Sequence, residues 1–164
     1  QKNKLKFPDN TNNLEYEVEL VVYLKKKCRS INTEEANKYI LGYSVGIDLT
    51  KRDLQMKAKA KRQPWDLSKG FDNSGPVSKI KLMQNIIKKG KIELKQNGHV
   101  KQISDISKMI WPIERIIANL SQHVTLYPGD AIFTGTPAGV GKVKKNDILE
   151  ATIEDIGKLK IKFT

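Results

Sequence analysis

The segment from Glu15 to Leu24 alternates strictly between two kinds of side chain, and no other stretch constrains the fold as much. Tyr16, Val18, Leu20, Val22 and Leu24 share one parity, and Glu15, Glu17, Glu19, Val21 and Tyr23 share the other. A period of two belongs to a strand whose apolar parity covers a core. The acidic parity fits a solvent-facing edge, which antiparallel sheets often carry. Two features argue instead for burial. Val21 and Tyr23 continue the acidic face, and these glutamates stand in a chain whose net charge is +12. Buried carboxylates need partners, and a hard cation with oxygen ligands, Mg²⁺ or Mn²⁺ rather than zinc, is a natural one.

A second alternating run follows a short helix expected over 33–40, with Asn32 and Glu35 as a capping box and Gly42 as its stop. Tyr43, Val45, Ile47 and Leu49 point one way, and Ser44, Gly46, Asp48 and Thr50 the other. Asp48 therefore has small neighbours on its own face and space for a ligand. Glu17, Glu19 and Asp48 are the candidate metal ligands.

Thr50 is positioned to cap a helix over 51–62, closed by Pro64, on which Arg52 and Gln55 share a face. Weak strands are expected at 80–87 and 91–96, and Asn97-Gly98 is a hairpin signal. A helix opens near Pro112, with Ile113, Ile116, Ile117 and Leu120 as its apolar stripe. Strands at 131–134, 148–154 and 158–163 complete the chain. With no repeat or composition break, the organisation is an arm or loop over 1–13 and one catalytic domain over 14–164, mainly β with three short helices.

Charge and cysteine content narrow the function. A basic chain draws anionic partners, but only four of its thirty basic side chains are arginine. Base readout favours the arginine fork, so a small anionic substrate is expected rather than nucleic acid. No apolar run approaches the ~20 residues of a membrane helix, and no membrane partner is expected. Cys28 is the only cysteine; it excludes an internal disulfide and fits a reducing cytoplasm.

Among the remaining motifs, Lys69 stands in a loop rich in glycine and aromatics. The loop Gly135-Thr136-Pro137-Ala138-Gly139-Val140-Gly141-Lys142 lacks the first glycine of a phosphate loop and the last of a dinucleotide fingerprint. It remains a tight turn able to bring backbone amides and Thr136 to a ligand. His99 and His123 have no nucleophile motif beside them.

Taken in order, these segments resemble the fumarylacetoacetate hydrolase family. They are Tyr16 to Leu20; Gly42-Tyr43 with Asp48-Leu49-Thr50-Lys51-Arg52-Asp53-Leu54-Gln55; Lys69-Gly70-Phe71-Asp72; Asn97-Gly98; Met109-Ile110; and Leu126-Tyr127-Pro128-Gly129-Asp130 with Thr134 to Gly141. Gln63-Pro64-Trp65 is most similar to the small acylpyruvate hydrolases and oxaloacetate decarboxylases of that family. The resemblance implies a mixed β-sandwich or roll, a homodimer, and Mg²⁺ or Mn²⁺ on Glu17, Glu19 and Asp48. It implies Arg52, Gln55 and Thr136 as contacts to a small anionic 2-keto acid, and Lys69 as a catalytic group that also binds substrate. The implied reaction is hydrolysis of a carbon–carbon bond in an acylpyruvate such as fumarylpyruvate. The alternatives are oxaloacetate decarboxylation, a 2-hydroxymuconate-type isomerisation, or a basic binder of nucleic acid or anionic surfaces on an inactive scaffold. In the hydrolases, a histidine with a nearby glutamate on an upstream lid activates the water. This chain has no histidine before His99, so either such a lid lies upstream of Gln1, the favoured expectation, or the base is absent, which would impair hydrolysis more than oxaloacetate decarboxylation.

Overall fold

The alternating segment divides into two strands at Glu17, and that interruption organises the site. The computed structural model describes residues 4–164; positions 1–3 of the expected arm lie outside the described residues. In chain order the strands are β1 (Lys4–Leu5), β2 (Leu14–Tyr16), β3 (Val18–Leu24), β4 (Ile40–Ile47), β5 (Thr50–Lys51), β6 (Lys81–Leu82), β7 (Lys91–Gln96), β8 (His99–Asp105), β9 (Ala131–Phe133), β10 (Gly141–Val143), β11 (Ile148–Ile153) and β12 (Gly157–Phe163). The α-helices are α1 (Arg52–Ala60) and α2 (Ile113–His123), and 3-10 turns cover Thr33–Tyr39, Asp66–Ser68 and Ile106–Lys108. The fold is mainly β, as the alternation requires.

The strands form three sheets, in the orders β1-β12-β11-β7-β8, β6-β4-β3-β9 and β10-β2-β5. The inner faces of the two larger sheets meet in one core. Val18, Leu20, Val22 and Leu24 of β3 and Tyr43, Val45 and Ile47 of β4 lie there with Leu149, Ile161 and Phe163. Within the expected arm, Lys4–Leu5 pairs parallel with β12 and buries Leu5.

Several local expectations change once tertiary contacts are present. The burial argued for the acidic parity extends to the whole of β3, which is buried on both faces. Its acidic parity continues into Val21, packed with Phe133 around Gly46, and Tyr23, whose hydroxyl accepts from the Ser44 hydroxyl at 3.3 Å. The helix at 33–40 is a 3-10 turn. Gly42 lies inside β4, where a Cβ would strike the backbone of Lys81 on β6. Close approach of two strands, not helix termination, requires that glycine. Thr50 does not cap α1: the cap is Lys51, and the Thr50 hydroxyl donates to Glu17. The expected strand at 80–87 shrinks to β6, an exposed two-residue pair.

The hairpin signal gives β7 and β8, with Asn97 and Gly98 both at positive φ (52° and 82°), the type I′ pattern. On α2, Ile113 and Ile117 are buried, and Ile116 and Leu120 pack half-buried against the core.

Candidate metal centre

Register brings the carboxylates together. Val18 pairs with Ile47 in one sheet and Glu15 with Thr50 in the next. The register does not slip between them, so Glu17 and Asp48 stand opposite each other across the gap where both strands change sheets. The gap is closed by the Asp48 N–H, which donates to the Glu17 carbonyl at 2.8 Å. Glu19 lies two residues along the same face, opposite Gly46. The missing side chain at Gly46 lets Val21 and Phe133 pack across that position. Ligand atoms of Glu17, Glu19 and Asp48 all lie within 4.8 Å of one another.

Lys69 reaches this cluster from the loop after the 3-10 turn at Asp66–Ser68. The loop is laced to the adjacent strands, with Leu49 N–H donating to Ser74 O and Ile47 N–H to Pro76 O. The Lys69 ammonium donates to Glu17 Oε2 at 2.8 Å and to Asp48 Oδ2 at 2.6 Å. Arg52, in the first turn of α1, donates through Nη2 to Glu17 Oε1 at 2.6 Å and through Nε to Glu15 Oε2 at 2.7 Å. Its Nη1 donates to Gln55 Oε1 at 2.6 Å. All three guanidinium nitrogens are thus engaged by the protein, and Gln55, the acceptor of Nη1, is itself buried. From the opposite side the Gly135 N–H donates to Glu19 Oε2 at 2.6 Å. Gly135 has φ +98°, a conformation for which glycine is suited.

Electrostatics separate the three carboxylates. Burial would raise Glu17, but Lys69 and Arg52 outweigh it and hold the carboxyl below its ordinary range. Burial is strongest in effect on Glu19, which is pushed up to about 7 against the pull of the Gly135 N–H. Asp48 is also raised by burial, with Lys69 pulling against it. Four carboxylates, Glu15, Glu17, Glu19 and Asp48, face the two cations Arg52 and Lys69. When fully ionised, the cluster lacks two positive charges, and its free donors are hard oxygens. That donor set fits one divalent cation of the Mg²⁺ or Mn²⁺ kind.

Thr136 lies on the same glycine turn, one residue past Gly135, and its hydroxyl accepts from buried Gln102 at 2.8 Å. The sequence reading missed Glu15, Thr50 and Gln102 as members of the site, and expected backbone amides of the Gly135 turn at a ligand but not at Glu19. Glu15 and Thr50 carried a signal, since each shares the parity of a candidate ligand on its own strand. Gln102 carried none, because the packing of sheets brings it in from far along the chain. His99 opens β8 and His123 closes α2, both exposed.

A family model described as fumarylacetoacetate (FAA) hydrolase C-terminal matches residues 1–164. Over 156 residues the chain is 40% identical to a fumarylpyruvate hydrolase of Ralstonia sp, covering 94% of this chain and 81% of that protein. Over 161 residues it is 42% identical to the mitochondrial oxaloacetate tautomerase FAHD1 of Bos taurus, covering 94% and 71%. Its fold is similar to a crystal structure of fumarylpyruvate hydrolase from Pseudomonas aeruginosa in complex with Mn²⁺ and pyruvate. The TM-score is 0.97 at 35% identity, covering all of this chain and 71% of that one.

Proposed function

The chain belongs to the fumarylacetoacetate hydrolase family, and from that premise we propose that it is a divalent-metal-dependent hydrolase of acylpyruvates. It cleaves the carbon–carbon bond of a fumarylpyruvate-like 2,4-diketo acid to give pyruvate and a carboxylic acid. The observation that carries this reading is the convergence of Glu17, Glu19 and Asp48 within 4.8 Å. Similarity to a relative whose structure holds Mn²⁺ and pyruvate supports it.

In this reading Glu17, Glu19 and Asp48 hold Mg²⁺ or Mn²⁺. When bound, that ion supplies a Lewis acid for the oxygens of a 2-keto acid. The protein's own groups do the rest. Arg52 fixes the Glu17 carboxylate in orientation, and the Gly135 amide fixes that of Glu19. The Lys69 ammonium lies beside the centre, where the electrons of the broken bond collect as a pyruvate enolate, and stabilises that charge. Thr136 and the free amide hydrogens of Gln55 contact the substrate. Arg52, saturated by Glu15, Glu17 and Gln55, contributes through Gln55 and Glu17.

The second reading is conversion of oxaloacetate, by tautomerisation or decarboxylation, through the same enolate. Identity to an oxaloacetate tautomerase favours considering it. Hydrolysis additionally requires a base that takes a proton from water. Turnover of an acylpyruvate and of oxaloacetate, each with Mn²⁺ and with EDTA, separates the two readings. EDTA-resistant turnover, or full activity in Glu17→Ala, would exclude both.

We also assign the working protein to the cytoplasm, where the buried free thiol of Cys28 stays reduced, and propose that it is a homodimer. Strand β8 is an edge of its sheet, and Val100, Ile103 and Ile110 stand exposed on and beyond it, Ile110 at 95%. Beside them an apolar cavity of about 590 Å³ is lined by Ile106, Met109, Trp111 and Phe133. An exposed edge with apolar side chains favours pairing with another chain.

A further inference from the structure

Gln102 is fully buried on β8, and its amide bridges Val18 and the Thr136–Pro137 turn, which no ladder pair joins directly. On its β9 side, β3 is paired from Tyr23 to Val21. The Thr134 N–H and hydroxyl extend this by donating to the Leu20 carbonyl at 3.2 and 2.9 Å. The chain then turns away at Gly135. Val18, which sits between Glu17 and Glu19, would be left with a buried N–H lacking a partner, a costly state. Gln102 Oε1 accepts that N–H at 3.0 Å. The other end of the amide donates to Thr136 Oγ1 and to the Pro137 carbonyl, both at 2.8 Å. Gly139 seals the contact: a Cβ there would strike the Lys101 carbonyl and come within 3.3 Å of Gln102 Cγ.

These partners determine which end of the amide is which. A backbone N–H can only donate and a carbonyl can only accept, so Oε1 must face Val18 and Nε2 must face Pro137. The same NH₂ group then donates its second hydrogen to Thr136. The Thr136 oxygen is therefore an acceptor inside the protein, and its own hydrogen is directed elsewhere. No acceptor among the described residues takes it. A hydroxyl held this way presents a donor, which suits a carboxylate oxygen.

We propose that Gln102 is a positioning residue that sets the Thr136 hydroxyl as a donor toward the substrate carboxylate and ties its loop to the Glu17–Glu19 strand. The inference rests on the reading of the centre as a 2-keto acid site. Gln102→Glu is the direct test. An ionised carboxylate there still accepts from Val18, but it cannot donate to Pro137 and it turns the Thr136 hydrogen inward. With Mn²⁺ present, the Kd of pyruvate by calorimetry and the KM of an acylpyruvate should each rise by about tenfold or more, the scale of one hydrogen bond to a charged group. The kcat should stay within about threefold. Thr136→Val should show a similar rise, and the double variant no more than either single one. Mn²⁺ affinity, a property of the carboxylates, should hold in both. If the buried charge prevents folding, Gln102→Met removes both donors at similar volume and carries the same expectation. Unchanged pyruvate Kd in a folded Gln102 variant, or additive losses in the double variant, overturns the assignment. Wild-type protein that binds no pyruvate with Mn²⁺ overturns the functional reading on which the inference rests.

Discussion

Lys69 has two carboxylates as its counterions, at 2.6 and 2.8 Å, and lies on a loop whose backbone is bonded to β4 and its continuation. Its charge, rather than its hydrogen-bonding capacity, is what an enolate would require. Lys69→Gln keeps donors near Glu17 and Asp48 but removes the charge. We expect kcat to fall by about 10²-fold or more, in line with loss of an electrostatic donor at a transition state. The pyruvate Kd should change far less, and steady-state kinetics with calorimetry on the same preparation check both. A single surface-looking lysine could not be assigned from its neighbours; only its place in an ordered set of motifs singled it out. Arg52 illustrates the converse. The sequence placed it with Gln55 on one helical face, and the structure keeps them together, but it also brings Glu15 and Glu17 onto the guanidinium. Those two partners, on β2 and at the break before β3, lie 37 and 35 positions earlier.

At the scale of elements, the centre depends on β3 and β4 approaching closely at a position with no side chain. At Gly46 a Cβ would lie 2.5 Å from Val21 Cγ2 and 2.7 Å from Phe133 Cε1. Gly46→Ala should therefore destabilise the protein by ~1–3 kcal/mol, as overpacked cores do, and weaken Mn²⁺ binding by displacing Glu19 opposite it. Chemical denaturation and metal titration read the two effects separately. A second linkage lies at the far end of the sheet. Asp147 accepts from Gln96 Nε2, Asn97 Nδ2 and the Lys144 N–H at 2.7–2.8 Å, tying the β7–β8 hairpin to the turn before β11. Burial would raise this carboxyl, but those donors outweigh it and hold it below the ordinary aspartate range. A folded pKa below the unfolded one stabilises at pH values above the unfolded pKa, and that stability is lost as pH falls through the folded one. The deficit of Asp147→Ala, expected at ~2 kcal/mol near neutral pH, should therefore shrink as pH falls below about 4. Thermal melts across pH 2–7 check this; a deficit independent of pH would contradict it.

For the whole molecule, the +12 charge is dispersed over strands, helices and loops, and on the sheets some lysines sit beside acids, as in Lys160–Glu150 and Lys91–Glu93. The least polar exposed surface lies instead along β8 and the segment to Trp111. Ile110→Asp should convert a dimer to a monomer without altering Mn²⁺ affinity, as read by sedimentation and calorimetry; an unchanged dimer would place the interface elsewhere. The sequence by itself determined that the two alternating runs after Leu14 and Gly42 are extended, which parity of each is apolar and which acids share a face, because side-chain alternation is a local property of extended backbone. It also carried the hairpin at Asn97-Gly98 and the stripe of α2, since turn preference and helical periodicity are likewise local. What only the tertiary structure decided was where those faces meet. The unbroken register that sets Glu17 against Asp48, the diversion of Thr50 from helix cap to carboxylate partner, and the arrival of Gln102 and the Gly135 amide all depend on contacts between residues distant in the chain. No local pattern encodes such contacts, since they follow from which sheets pack together and where each ladder ends.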